Sequence, residues 1–527
     1  MNDEMRFLSV RVAKGKLSRR AFLGRAAALG VSTALANNLL ATAASAEGPV
    51  KGGLLRAGSP GGSAADSLDP ALVGGSAPFL FVRQWAEQLV QIDSKGELQP
   101  ALAEEWGASK DAKIWTFKIR KGVQFHNGKE MTPADVLATM ERHSDEKSKS
   151  AALGIMQSID KIAVDGQNVV FTLKDSVVDL PFLMDDYHLM IQPNGGKDNP
   201  IGGIGTGPYK VTVNEAGVRL GGEKFAGYWR SDRGFADEIE IIVINDATAR
   251  MTALQSGQVH MIRAIEPKVI ELIKHIPGIT IRNVAGKGYY TFNMHCDTAP
   301  FDNNDLRLSL KYAINREEMV QKILMGYGSV GNDTPINKVY QLFSEMEQRT
   351  YDPDKAAFHY KKSGHDGSVL LHVSDAAFPG AVDAAQLYQA SAANAGIKLE
   401  LKREPADGYW SEVWDKQPFC PSYWGGRPTQ NLMYSTVYYS KAVYNETNFF
   451  NEKFDKMLLE ARGELDPVKR KKLYFDIGTI LRDEGGAIIP MFNDFIDATG
   501  PKVGGWENDS NGEMMNGYAL SKCWLQA

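Results

Sequence analysis

Residues 114–143 read "IWTFKIRKGVQFHNGKEMTPADVLATMERH", and no other stretch narrows so far what the chain can become. Trp115, Phe117 and Ile119 alternate with Thr116, Lys118 and Arg120, the pattern of a strand with one buried face. Asn127-Gly128 is a turn signal. Thr132 then stands as an N-cap, with Pro133 at the first helical position and Asp135 where a capping box needs its acid. Val136, Leu137 and Met140 give that helix an apolar stripe. A switch from period 2 to period 3.6 across one turn is the mark of an α/β chain, and it recurs. "DEIEIIVIND" (237–246) and "GAIIPMFNDF" (486–495) read as central strands of covered sheets. "NNDLRLSLKYAINREEMVQKILMGYG" (303–328) reads as two helices, the second capped by Asn315 and stopped at Gly326 and Gly328. Residues 451–486 read as two more, the second launched at Asp466-Pro467 and ended at Gly485-Gly486.

The segment "KLSRRAFLGRAAALGVSTALANNLLATAASAEG" (16–48) has the parts of an export signal: a basic start, a weakly apolar middle and a small-residue cleavage site at Ala44-Ser45-Ala46. Arg19-Arg20 after Ser18 matches the twin-arginine pattern. Residues 1–46 are therefore expected to be removed, with Glu47 the mature start. What remains, about 480 residues, exceeds one ordinary core and calls for two or three domains. No later segment is apolar enough to span a bilayer, and the mature protein is expected to be soluble. The whole chain carries a net charge of −5, falling to about −10 without the signal. An acidic surface with no basic run excludes nucleic acid and anionic membrane as expected partners.

The chain has three cysteines, Cys296, Cys420 and Cys523. An oxidising compartment would allow one disulfide, with Cys296 to Cys420 a conceivable pairing. No C-x-x-C or H-E-x-x-H occurs, and the nine histidines do not cluster at ligand spacing, so neither a protein-built metal site nor a cofactor is expected. Reaction machinery is equally scarce. G-x-S-x-G is absent. "GVQFHNGK" is one residue short of a P-loop and lacks the following Ser/Thr, and "GGIGTGPYK" does not spell G-x-G-x-x-G. The chain is expected not to be an enzyme.

Several of these segments together resemble the extracellular solute-binding proteins of peptide/nickel ABC transporters, family 5, and most of all the peptide-type binding components of rhizobia and their relatives. The resemblance is carried by "WTFKIRKGVQFHNGKEMTPADVLATMERH", by "GTGPYKV" (205–211), by "APFDNNDLRLSLKYAINREEMVQKILMGYG" (299–328), where Ser309 replaces the usual alanine, by "YDPDKAAFHYKKSG" (351–364), and by "ALQSGQVHMI" (253–262), where His260 replaces the usual aspartate. It implies an α/β, two-lobed periplasmic-binding-protein fold of type II with an extra subdomain. Residues 47–80, 205–288 and 492–527 would form the core of the first lobe, 81–204 the subdomain and 289–491 the second lobe. The chain would cross near 287–295 and return near 487–495. The implied function is capture of a peptide or small acidic, amino-acid-like compound between the lobes in the periplasm. Delivery to separate ABC permease subunits would follow, with the receptor a monomer. Two other readings stay open: a nickel or metal-chelate carrier of the same family, and, as the weakest, an exported enzyme.

The stretch "CPSYWGGRPTQNLMYSTVYYS" (420–440) raises the question of the ligand. About a dozen aromatics crowd residues 409–450, and ligand clefts favour large apolar walls with a few directed polar groups. In peptide-binding members of the family the matching loop has a tryptophan, two small residues and an aspartate that pairs with the peptide ammonium. Counted from Trp424, that place is held by Arg427, so the charge is reversed. An acidic group could take the two-donor fork of a guanidinium. Arg427 is thus the expected anchor, unless it forms a loop-fixing salt bridge instead. Trp424, Tyr423 and Gly425 beside it are expected to bind the ligand with it. Asn293 on the crossing strand, and Ser59 and Asp66 in the first-strand loop, are further candidate ligand residues.

Overall fold

The computed structural model describes residues 21, 22, 24, 25 and 48–526, except 146 and 148. The arginine pair and cleavage site of the export signal lie outside the described residues. No described helix is long and apolar enough to cross a membrane.

The first sheet is built by chain segments far apart in sequence. Its seven strands run in the order Thr280–Val284, Phe495–Thr499, Met261–Ile262, Leu54–Ser59, Glu238–Val243, Arg219–Lys224 and Tyr209–Glu215. Leu54–Ser59 lies parallel to both its neighbours, and the other pairs are antiparallel. Ile239 and Ile241 are buried, as the run "DEIEIIVIND" requires. The C-terminal residues 503–525 return to this unit, where Met514, Leu520 and Cys523 share a core with Leu55 and Ile241.

A second sheet of four antiparallel strands, Ala103–Ala108, Ile114–Ile119, Asn168–Leu173 and Ile159–Asp165, has its own core around Phe117, Phe171 and Met140. Trp115, Phe117 and Ile119 are all buried. The helix Pro133–Ser144 closes this core, with the Thr132–Asp135 capping box formed.

The third sheet has the order Gly328–Val330, Ala487–Asn493, Tyr289–Met294 and Phe419–Trp424, all antiparallel. Two cores flank it. One lies under the helices Asn304–Ala313 and Ala381–Ala393 with Phe292 and Tyr388. The other lies under Gln430–Val437, Glu452–Gly463 and Pro467–Glu484 with Tyr289 and Tyr434.

The chain passes between the first and third sheets twice, through residues 285–288 and through Asp494. The two passages touch: Asn493 N donates to the Gly288 carbonyl at 3.0 Å, and Asn283 Nδ2 to Asp494 at 2.8 Å. Two short extended connections side by side are the geometry of a hinge.

All three thiols are free, so the conceivable Cys296–Cys420 disulfide is not formed. The sulfur of Cys420 faces the Val413 carbonyl and that of Cys296 the Met294 carbonyl, two residues back at the strand end. Burial pushes the thiol of Cys420 up to about 12, which keeps it protonated and inert.

Candidate functional site

The loop 425–429 leaves the end of the edge strand Phe419–Trp424 and enters the helix Gln430–Val437, which Thr429 caps. Gly426 has φ +64°, and a Cβ there would lie 2.4 Å from that of Lys287, so only glycine lets this loop pack on the inter-sheet passage. Gly425 is exposed, with open space where its side chain would be.

Arg427 is half-buried. Its backbone N–H donates to Tyr340 Oη at 3.0 Å, and its Nη1 to the Gly426 carbonyl at 2.9 Å. Its guanidinium carbon lies 5.4 Å from the ring centre of Trp424, in cation–π range. Among the described residues it has no carboxylate partner, so the loop-fixing salt bridge is not formed. The phenol of Tyr187, which packs against the core of the first sheet, feels the charge of Arg427. Burial nonetheless pushes that phenol up. Tyr187 is braced edge-on by Phe79 at 4.9 Å. A second cation is close: Lys287 Nζ donates to Asn511 Oδ1 at 3.1 Å and lies 5.0 Å from the Tyr340 ring centre. Burial pulls its pKa down to about 8, with Asp509 partly offsetting.

Trp424 is not free to swing. Its Nε1–H donates to Glu446 Oε1 at 2.7 Å, while Trp414 Nε1–H donates to Glu446 Oε2 at 2.5 Å. Glu446 is buried, and burial pushes its carboxyl above the usual glutamate value although both indoles pull the other way. The indole plane of Trp424 is thereby fixed as the platform under Arg427. Tyr423, on the opposite face of the strand, is about half exposed at 52%. It meets Trp410 at 5.8 Å and sits opposite Tyr290, which stacks on Phe378 at 4.2 Å. Burial pushes the Tyr290 phenol up to about 12, with Tyr423 and Glu513 of the C-terminal segment adding to it.

The remaining candidates lie elsewhere. Asn293 is buried within the third unit; its Oδ1 accepts from Thr291 Oγ1 at 2.9 Å and its amide nitrogen faces Glu446. Ser59 is fully buried and donates to the Pro60 carbonyl at 3.0 Å. Asp66 is held in its own turn, accepting from Ser63 N at 2.9 Å. No group of three or more His, Cys, Asp or Glu that could hold a metal occurs among the described residues. A separate cavity of about 550 Å³ opens between residues 329–348 and the helices bearing Tyr434 and Tyr474, lined by the third unit alone. Glu446, Tyr187, Tyr340 and Lys287 escaped the reading of the sequence: Tyr187, Tyr340 and Lys287 come from segments remote from Arg427, and Glu446, though inside 409–450, carries no local signature.

A family model, bacterial extracellular solute-binding proteins, family 5, matches residues 97–446. The chain belongs to this family. As a family 5 solute-binding protein it is periplasmic or extracellular, with the two-lobed fold of that family, and serves as the solute-binding component of an ABC importer. It is 23% identical over 462 residues to the dipeptide-binding protein of Escherichia coli K12, covering 79% of this chain and 85% of that one. It is 25% identical over 432 residues to the glutathione-binding protein GsiB of Shigella flexneri, covering 78% and 84%. Its fold also matches the periplasmic binding protein AgaA from A. tumefaciens R10 in complex with agropinic acid, at a TM-score of 0.75 and 23% identity over 90% of this chain and 99% of that one.

Proposed function

We propose that this solute-binding protein captures a small compound or peptide bearing an acidic group, and that Arg427 anchors that group in the cleft. The observation that carries the reading is a half-buried guanidinium on a fixed indole with no carboxylate partner among the described residues. Lys287 adds a second positive charge to the same end of the cleft. An ammonium placed there would meet two like charges in a water-poor space, which is unfavourable by several kcal/mol at roughly ε 20. A carboxylate, sulfonate or phosphate would take the planar fork in two parallel hydrogen bonds. Tyr423 and Trp424 would supply the apolar walls.

The wider reading is that the protein acts as a non-enzymatic, monomeric receptor exported by the twin-arginine route, with residues 47–80, 205–288 and 492–527 as one lobe, 81–204 as its subdomain and 289–491 as the other. The relatives' own ligands, a dipeptide, glutathione and agropinic acid, set the chemical range to search. The test is a thermal-shift screen of protein unfolded and refolded to strip retained solute, against glutathione, glutamate, aspartyl and glutamyl dipeptides and alanyl-alanine amide. A ligand that binds the native state alone raises the melting temperature with its concentration. Shifts by acidic probes that vanish in Arg427→Ala support the reading. Equal shifts by alanyl-alanine amide in both proteins refute it.

A further inference from the structure

We propose that residues 176–179 and the helix Gln430–Val437 form a closing clamp, through which the second sheet's unit positions the Arg427 loop when the lobes come together. The two units meet at points well outside the aromatic cleft. Asp179 Oδ1 accepts from Arg470 Nη1 at 2.9 Å, with the two side chains 4% and 12% exposed. Val178 N donates to the Arg462 carbonyl at 2.9 Å. Leu432 of the helix Gln430–Val437 packs against the core built by Phe117 and Phe171. None of these groups is in the set that would touch a ligand.

Their placement gives them a role in capture. Leu432 lies five residues beyond Arg427, on the helix that Thr429 caps directly after the loop. Seating Leu432 in the second unit's core therefore fixes the helix start and with it the direction of the guanidinium. The Asp179–Arg470 pair is a poor device for stability alone. Asp179 Oδ2 and Arg470 Nε are buried with no partner among the described residues, so the pair is desolvated without being fully satisfied. It fits instead a contact made and broken with domain motion, where each interaction present only in the closed state shifts the population towards it. The clamp rests on two-lobed capture and not on the identity of the solute, so it stands or falls separately from the Arg427 reading.

The geometry also supplies a trap. A Cβ built on Gly463 would lie 3.0 Å from that of Ser176, close to the spacing a disulfide spans after a small adjustment. The experiment is small-angle scattering on refolded, solute-free protein in four forms: the Ser176→Cys/Gly463→Cys double variant oxidised and reduced, Arg470→Asp, and the swap Asp179→Arg/Arg470→Asp. The clamp predicts a larger radius of gyration on reduction or in Arg470→Asp, with the swap returning to the compact value. If all four forms scatter alike, the contact does not open and close with the lobes, and the inference is overturned.

Discussion

Glu446 makes the sharpest case for how the platform under Arg427 is held. Glu446→Ala would leave the indole N–H groups of Trp414 and Trp424 without acceptors in a buried setting. Each such orphan costs roughly 1–3 kcal/mol. Part is returned because a buried carboxylate is removed, and burial already raises its proton affinity. The net loss should be roughly 2–4 kcal/mol for Ala and about 1–2 kcal/mol for Glu446→Gln, which keeps one acceptor but turns an amide N–H towards the other indole. Because the folded carboxyl titrates above its ordinary value, its contribution is greatest below about 4.5 and declines as pH rises through the folded value. The deficit of Glu446→Gln should therefore shrink as pH rises. The assay is urea unfolding followed by tryptophan fluorescence, with the two indole N–H resonances as a local check. Losses below about 0.5 kcal/mol for both variants, with those resonances unmoved, would refute the reasoning.

Three further outcomes follow from the same geometry. Gly426→Ala, forcing a Cβ into Lys287 at positive φ, should cost about 1–2 kcal/mol of stability and weaken solute binding, read by thermal melting and titration calorimetry. Lys287 titrates near 8 when folded and higher when unfolded, so the unfolded chain binds more protons between those values and stability should rise with pH from about 8 to 10.5; Lys287→Met should remove that rise in pH-dependent urea curves. Asp333→Ala, stranding the buried Arg316 and Arg349 that it joins at 2.7 and 2.6 Å, should destabilise the protein by roughly 3–5 kcal/mol in urea unfolding without changing which solute binds.

Much of the framework was legible because burial writes itself as periodicity. The alternation at 115–119 and the Thr132–Asp135 box fixed a strand and a helix start from local chemistry alone. Asn315 likewise accepts from Glu318 N, as its spacing required. The run "GAIIPMFNDF" was harder: it holds two strands of different sheets, Ala487–Asn493 and Phe495–Thr499, joined by the single residue Asp494. Periodicity cannot mark a change of partner. Asn293 shows a related limit. It shares a face with Tyr289 and Thr291, and only the packed helices reveal that this face looks into the third unit. Arg427 was visible as a reversed charge in a recognisable loop. Its supports, Glu446, Tyr187, Tyr340 and Lys287, are assembled by the fold.

Whether Arg427 holds an acidic group is decided by what the protein carries. Solute released by denaturation from freshly purified wild type and Arg427→Ala should be identified by mass spectrometry. The wild type should release a compound with a carboxylate, sulfonate or phosphate, at least about tenfold depleted in the variant, since truncating one partner of such a pair costs roughly 2 kcal/mol or more. A neutral or cationic solute retained equally by both proteins would contradict it.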